Sequence, residues 1–248
     1  MITGTFQEGL LRGKRALVSG GTSGIGAAIG NVLAELGAAV TVTGPTTEDA
    51  QRALNTSGFW PERAIALDVR DSAAVAAAIA ALPSLDILVN CAGVIRRDDE
   101  HDPDVFDEVI DVNLSGTMRL CAAARQLLAK TAGCIVNTAS MLSFFGGARV
   151  PAYSASKGGI AQLTKSLALA YAAEGIRVNA IAPGWIATAL TAPLRDDAQR
   201  SAPILSRTAL GRWGTPEDVV GAAVFLCSPA AAFITGVILP VDGGYLAA

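Results

Sequence analysis

A short apolar run, Arg15-Ala-Leu-Val-Ser19, leads through the glycine-rich stretch Gly20-Gly-Thr-Ser-Gly-Ile-Gly26 into a segment whose apolar residues Ile25, Ile29, Val32, Leu33 and Leu36 recur with helical spacing. Strand, glycine turn and helix in that order constrain the fold more than any other stretch. Without side chains at Gly20, Gly24 and Gly26 the backbone can approach a bound group closely, and the helix start offers N–H groups that have no internal partner. A tight turn packed on its strand also wants glycine. The position between strand and helix favours a dinucleotide pyrophosphate, with Ser23 and Ile25 as further contacts from the same turn.

The alternation continues along the chain. Residues 39–43, 64–69, 85–90, 133–138, 176–181 and 237–241 read as strands, and 72–82, 106–130 and 153–174 as helices. The second of these helices is expected to bend at Asn113, whose side chain competes for backbone groups. No internal repeat or low-complexity linker interrupts the pattern. Residues 1–248 are therefore expected to form a single doubly wound Rossmann domain, an α/β fold with a mostly parallel sheet flanked by helices on both faces. Hydrophobic residues make up 51% and charged residues 17%, enough for a large core and too apolar for a disordered chain.

Net charge is −3 with no block of Lys or Arg, which argues against nucleic acid or an anionic membrane and leaves a small molecule as partner. Cys91, Cys121, Cys134 and Cys227 have no C-x-x-C spacing and His101 is the single histidine, so no metal site is expected and the cysteines read as reduced, buried thiols. Residues 1–14 hold no signal-peptide core and no run of about 18 apolar residues goes unbroken, so a cytoplasmic chain is expected.

Chemistry concentrates in residues 140–157. Tyr153 and Lys157 are four apart and share a helix face, which brings an ammonium near a phenol. A phenol titrates near pKa ~10, and a cation beside it favours phenolate and makes it a usable base. Ser140 adds a hydroxyl able to hydrogen-bond the same reacting oxygen if the intervening loop folds back. Tyr-x-x-x-Lys alone is more often a surface tyrosine beside a solvated lysine.

These pieces, with Asp68-Val69, Asn90-Cys91-Ala92-Gly93, Asn113, and Pro183-Gly184 followed by Ile186 and Thr188, make the chain similar to the short-chain dehydrogenase/reductase family over nearly its whole length. The resemblance implies that Asp68 and Val69 contact adenine, that Asn90, Ala92 and Gly93 line the cofactor cleft, and that Pro183, Gly184, Ile186 and Thr188 meet the nicotinamide end. It further implies that Tyr153 transfers a proton, Ser140 anchors the oxygen, Lys157 lowers the phenol pKa and holds the nicotinamide ribose, and Asn113 joins a proton relay. A homotetramer is typical. Ser19 stands where Thr is usual, and Cys91 where a second Asn is common.

Cofactor choice turns on Gly44-Pro45-Thr46-Thr47-Glu48-Asp49, after the second strand. An acid there would bind a free ribose 2′-hydroxyl and an arginine a 2′-phosphate. Neither stands at the strand end, and the missing cation favours NAD over NADP. Glu48 and Asp49 read as acids at a helix start. The stretches Val94-Ile-Arg-Arg97, 139–151, Gln199-Arg-Ser201 and Gly211-Arg-Trp-Gly214 resemble 2-deoxy-D-gluconate 3-dehydrogenase and gluconate 5-dehydrogenase-like members. Their substrates carry a carboxylate, which Arg96, Arg97, Arg149 or Arg207 could pair. Trp185 is a further substrate candidate, and residues 189–214 read as a lid. Reduction of a 3-oxoacyl thioester and oxidation of a hydrophobic cyclic alcohol are alternatives, as is a nucleotide-sensing regulator without turnover.

Overall fold

The computed structural model describes residues 2–248. Strands β1 (Arg15–Ser19), β2 (Ala39–Gly44), β3 (Arg63–Ala66), β4 (Ile87–Asn90), β5 (Cys134–Thr138), β6 (Arg177–Pro183) and β7 (Ile238–Val241) form one sheet in the order β3-β2-β1-β4-β5-β6-β7. Every neighbouring pair is parallel. The largest departure from expectation is β3, which ends before Asp68 and Val69. The Asp68 carboxylate accepts the Arg70 N–H at 2.9 Å and turns the chain out of the sheet there.

Side-chain alternation places the two cores. Ala16, Val18, Val40, Val42, Ile87, Val89 and Val136 point to one face of the sheet, and Leu17, Leu88 and Ile135 to the other. On the first face lie α1 (Gly24–Glu35) and α9 (Pro216–Cys227), on the second α3 (Ser72–Ala80), α5 (Gly116–Thr131) and α6 (Pro151–Tyr171). Both faces being covered, the central strands read as nearly unbroken apolar runs. A register slip of one residue would exchange the two sets and forfeit roughly 1.5–3 kcal/mol for each large side chain unburied.

The remaining helices are locally determined. In α2 (Thr47–Leu54) Glu48 and Asp49 occupy the first turn, and the Thr46 hydroxyl accepts the Asp49 N–H, so these acids act at a helix start as expected. Asp71 caps α3 by accepting the N–H groups of Ala73 and Ala74. The expected bend at Asn113 is a π-helical turn, Asp111–Ser115, between α4 (Pro103–Ile110) and α5. From the start of α5, Thr117 Oγ1 donates to the Asn113 carbonyl at 2.9 Å. The 189–214 segment, expected as a lid, contains α7 (Ala192–Arg195) and α8 (Ala198–Arg207). Asp197 caps α8, while Pro203 inside it removes one N–H and blurs the helical pattern. None of the helices among the described residues is long and apolar enough to cross a membrane.

Candidate active site

Gly20, Ala92 and Gly93, Ser140, and Gly184 to Thr188 all follow the carboxyl ends of strands β1, β4, β5 and β6, the edge of a parallel sheet where ligands bind. A depression of about 370 Å³ among Lys14, Arg15, Ala39 and Trp60 opens at the opposite edge and touches none of them.

Gly20 has φ +65°, and a Cβ there would stand 2.6 Å from the Ala92 nitrogen. A Cβ on Gly26 would meet the Gly20 carbonyl oxygen at 2.2 Å, so the turn admits no side chain at either position. Ser23 begins α1 in extended conformation without a side-chain cap. The N–H groups of Gly24, Ile25 and Gly26 have no partner among the described residues. Across the cleft Thr188 Cγ2 lies 3.6 Å from where a Gly24 Cβ would be. A glycine cradle with free N–H groups at a helix start fits a dinucleotide pyrophosphate.

The other expected cofactor residues divide. Gly93 faces Asn113 and Lys157, its Cβ position being 3.3 Å from Asn113 Oδ1 and 3.8 Å from Lys157 Nζ. Ile186 is buried and bridges to Gly214, its carbonyl held by Thr191 Oγ1, while Gly184 packs against Asp242. Pro183 ends β6. The Asn90 side chain, only 3% exposed, is spent on Ser19, Cys121 and Asn137 beneath the cleft. Arg70 takes the Asp68 carboxylate at 2.7–3.0 Å and holds its pKa below the ordinary value. Val69 packs against Gly116.

Tyr153 and Lys157 sit one turn apart on α6. Lys157 is 5% exposed, its Nζ donates to the Thr138 carbonyl at 2.6 Å, and it lies 5.5 Å from the Tyr153 ring centroid. Burial pushes its pKa down to about 8. Burial also raises the Tyr153 phenol. The Ser140 hydroxyl lowers it, Glu100 raises it and Arg97 lowers it. Lys157 is not among the groups that shift the phenol, its ammonium being engaged by the Thr138 carbonyl. Ser140 begins the short turn Met141–Ser143, and Ser143 Oγ donates to the Lys157 carbonyl at 2.6 Å, which staples that loop to α6 and brings Ser140 back to Tyr153. Asn113 is 1% exposed. Its Oδ1 accepts the Val94 N–H at 2.8 Å, and its Nδ2 donates to the Val94 carbonyl and to Ser156 Oγ.

Of the arginines, Arg96 pairs with Glu108 at 2.9 Å and Arg149 with Asp98, so both substrate candidates already have acidic partners. Arg207 covers the rings of Phe145 and Tyr245. Half-buried Arg97 has neither a hydrogen-bond nor an ion-pair partner among the described residues. Burial and the charges of Arg200 and Arg149 lower its pKa, partly offset by Asp98 and Glu100. Trp185 packs edge-on against Trp213 and Tyr245, with its indole nitrogen buried and unpartnered, and lines a cavity of about 170 Å³ with Leu210, Arg212 and Asp242. Glu100 and Ser156 escape the motif reading because each acts through a tertiary contact. Cys91 is half-buried beneath Thr138, and the other three cysteines are buried, all unpaired. No group of three metal-ligating side chains occurs among the described residues.

Fold and cradle together define a dinucleotide-binding protein. The family model described as enoyl-(acyl carrier protein) reductase matches residues 20–246. A 2-dehydro-3-deoxy-D-gluconate 5-dehydrogenase of Pseudoalteromonas atlantica is 44% identical, covering 95% of this chain and 97% of its own. A cis-4-hydroxycyclohexanecarboxylate dehydrogenase of Sinomonas cyclohexanicum is also 44% identical, covering 94% and 96%. The crystal structure of a gluconate 5-dehydrogenase from Burkholderia cenocepacia, in complex with NADP and tartrate, superposes with TM-score 0.89 at 37% identity over 96% of this chain and 97% of that one. The chain belongs to the short-chain dehydrogenase/reductase family, and it is an NAD(P)-dependent oxidoreductase.

Proposed function

We propose that the enzyme oxidises, reversibly, a secondary hydroxyl of a hydroxycarboxylate, with a sugar acid such as 2-deoxy-D-gluconate as the leading candidate. The observation that carries this reading is Arg97, a half-buried guanidinium without an anionic partner, whose charge is felt at the Tyr153 phenol. A substrate carboxylate would supply the missing partner through two parallel donors. Both relatives named above act on molecules that join a carboxylate to a ring or chain alcohol. A cyclic alcohol reading gains from the second of them and differs only in what surrounds the carboxylate.

A bound nicotinamide dinucleotide supplies hydride exchange with the substrate carbon. Its pyrophosphate would rest on the N–H groups of Gly24 to Gly26, with Ser23 beside them, and its nicotinamide end near Ile186 and Thr188. In oxidation Tyr153, as phenolate, accepts the hydroxyl proton at Oη, Ser140 Oγ donates a hydrogen bond to the same substrate oxygen, and Lys157 takes part in passing the proton on. Asn113, across Gly93 from Lys157, holds the loop in place and continues that path towards solvent. Residues 189–214 close over the substrate, and residues 1–248 act as one catalytic domain.

NAD is favoured over NADP because the end of β2 carries no free cation: Arg52 is held by Asp49. The neutral Gly44-Pro45-Thr46 end admits a 2′-phosphate as well, in keeping with the NADP found in the Burkholderia structure. The outward Leu169 and Phe233, 83% and 104% exposed, suit subunit contacts in a cytoplasmic homotetramer, and a monomer by light scattering would contradict it. The deciding experiment follows the near-ultraviolet absorbance of reduced cofactor while sugar acids, cyclic hydroxyacids, uncharged polyols and acyl thioesters are offered with each cofactor. Turnover confined to hydroxycarboxylates is expected. Preference for acyl thioesters or uncharged alcohols would overturn the substrate assignment.

A further inference from the structure

Helix α6 begins without a cap of its own. Val150 stands at its N-cap with no side-chain acceptor, followed by Pro151. The acceptor arrives from a residue 53 positions earlier: Glu100 Oε2 accepts the Tyr153 N–H at 2.8 Å, and its Oε1 accepts the Arg96 N–H at 2.9 Å. Glu100 is 1% exposed and joins no ion pair among the described residues. A buried carboxylate is costly unless its oxygens are satisfied, and here both are used on backbone groups at the site. One of these belongs to the loop that carries Arg97, the other to the residue assigned the proton.

We propose that Glu100 is a positioning residue for proton transfer, tying the loop after β4 to the first turn of α6 so that Tyr153 and Arg97 keep a fixed spacing over the substrate. The inference rests on the reading of Tyr153 as proton carrier. Glu100 also has an electrostatic effect. Around the phenol, Ser140 from the turn after β5 and Arg97 from the loop after β4 favour phenolate and Glu100 opposes it. Lys157 on α6 itself is held by Thr138. Removing the Glu100 charge therefore lowers the pH at which Tyr153 ionises, while the loosened contact lowers the rate.

Glu100→Gln tests this, since its amide can accept only one of the two N–H groups and turns a donor towards the other. In the full-length protein labelled with [13Cζ]tyrosine, the Tyr153 resonance, assigned with Tyr153→Phe, is titrated by NMR, and deuterium exchange is followed over residues 151–157. A lower Tyr153 pKa together with faster exchange is expected, with kcat on 2-deoxy-D-gluconate reduced roughly 10- to 100-fold. A pKa or an exchange rate equal to that of the unaltered protein overturns the inference, whatever the substrate proves to be. Full 2-deoxy-D-gluconate turnover by Tyr153→Phe instead overturns the proton-carrier reading and the inference with it. Should Glu100→Gln not fold, Val150→Thr is added to supply a local acceptor for the Tyr153 N–H. Recovery of folded protein with native exchange at 151–157 supports the assignment. A double variant that stays unfolded overturns it, because Glu100 would then serve the fold and not the spacing.

Discussion

The first turns of α1 and α6 both lack a side-chain cap from the residue that begins them, Ser23 in one and Val150 in the other. Each therefore presents unsatisfied N–H groups and the positive end of a helix dipole. At α1 the groups of Gly24 to Gly26 stay free, with glycines keeping the approach clear. At α6 the protein's own buried carboxylate fills the place. The same physics yields a receptor for a ligand's anion at one end of the site and a fixed mount for the reacting side chain at the other.

If the two ends are separable in this way, variants should affect one and spare the other. Tyr153→Phe should have the largest effect, lowering kcat by about 10²–10⁴-fold with cofactor affinity unchanged in a fluorescence titration. Gly26→Ala should do the reverse, since its methyl meets the Gly20 carbonyl at 2.2 Å. A distortion costing about 1–3 kcal/mol should appear as weaker cofactor binding, with turnover recovering at high cofactor. Arg97→Gln should raise KM for 2-deoxy-D-gluconate about 10- to 100-fold, the worth of a charge-assisted hydrogen bond, and leave KM for an uncharged polyol unchanged. Equal losses on both substrates would remove Arg97 from the substrate.

The smallest effect concerns stability. Lys157 titrates at about 8 in the folded protein against an ordinary value of ~10.4, so between those pH values the unfolded chain binds more protons. Burying the charged form disfavours folding below pH ~8, and that penalty is relieved as pH rises to ~10.4. Compared with Lys157→Met, the unaltered protein should gain stability across this window and show a constant difference below it, as followed by Tm against pH.

Local spacing made much of this legible. The glycine turn, the Tyr153–Lys157 pair and the apolar strands are patterns within a few residues, and their geometry follows from helix and strand periods. What the chain order hides is which of several like groups is spoken for. Arg96 and Arg97 are adjacent and chemically identical, yet only folding sets Glu108 against the first. Glu100 follows Asp98 and Asp99 and looks like part of a solvated acidic run until its partner at Tyr153 is in place. Tyr153 itself was placed correctly beside Lys157, but the balance of burial against charge depends on how deeply the pair is packed. Helix α9 announces itself through Thr215, Pro216 and Asp218, a capping signal that a search for catalytic motifs passes over.

The π-turn at Asp111–Ser115 has a consequence for how this chain can change length. Such a turn holds one residue more than an α-turn, and each residue turns a helix by about 100°. Losing one residue there would let α4 and α5 join as a regular helix and swing one against the other. Asn113 could then no longer reach Val94 and Ser156 while Gly116 stays against Val69. The stretch from Asp111 to Gly116 is thus a counted length, open to substitution but closed to single insertions and deletions.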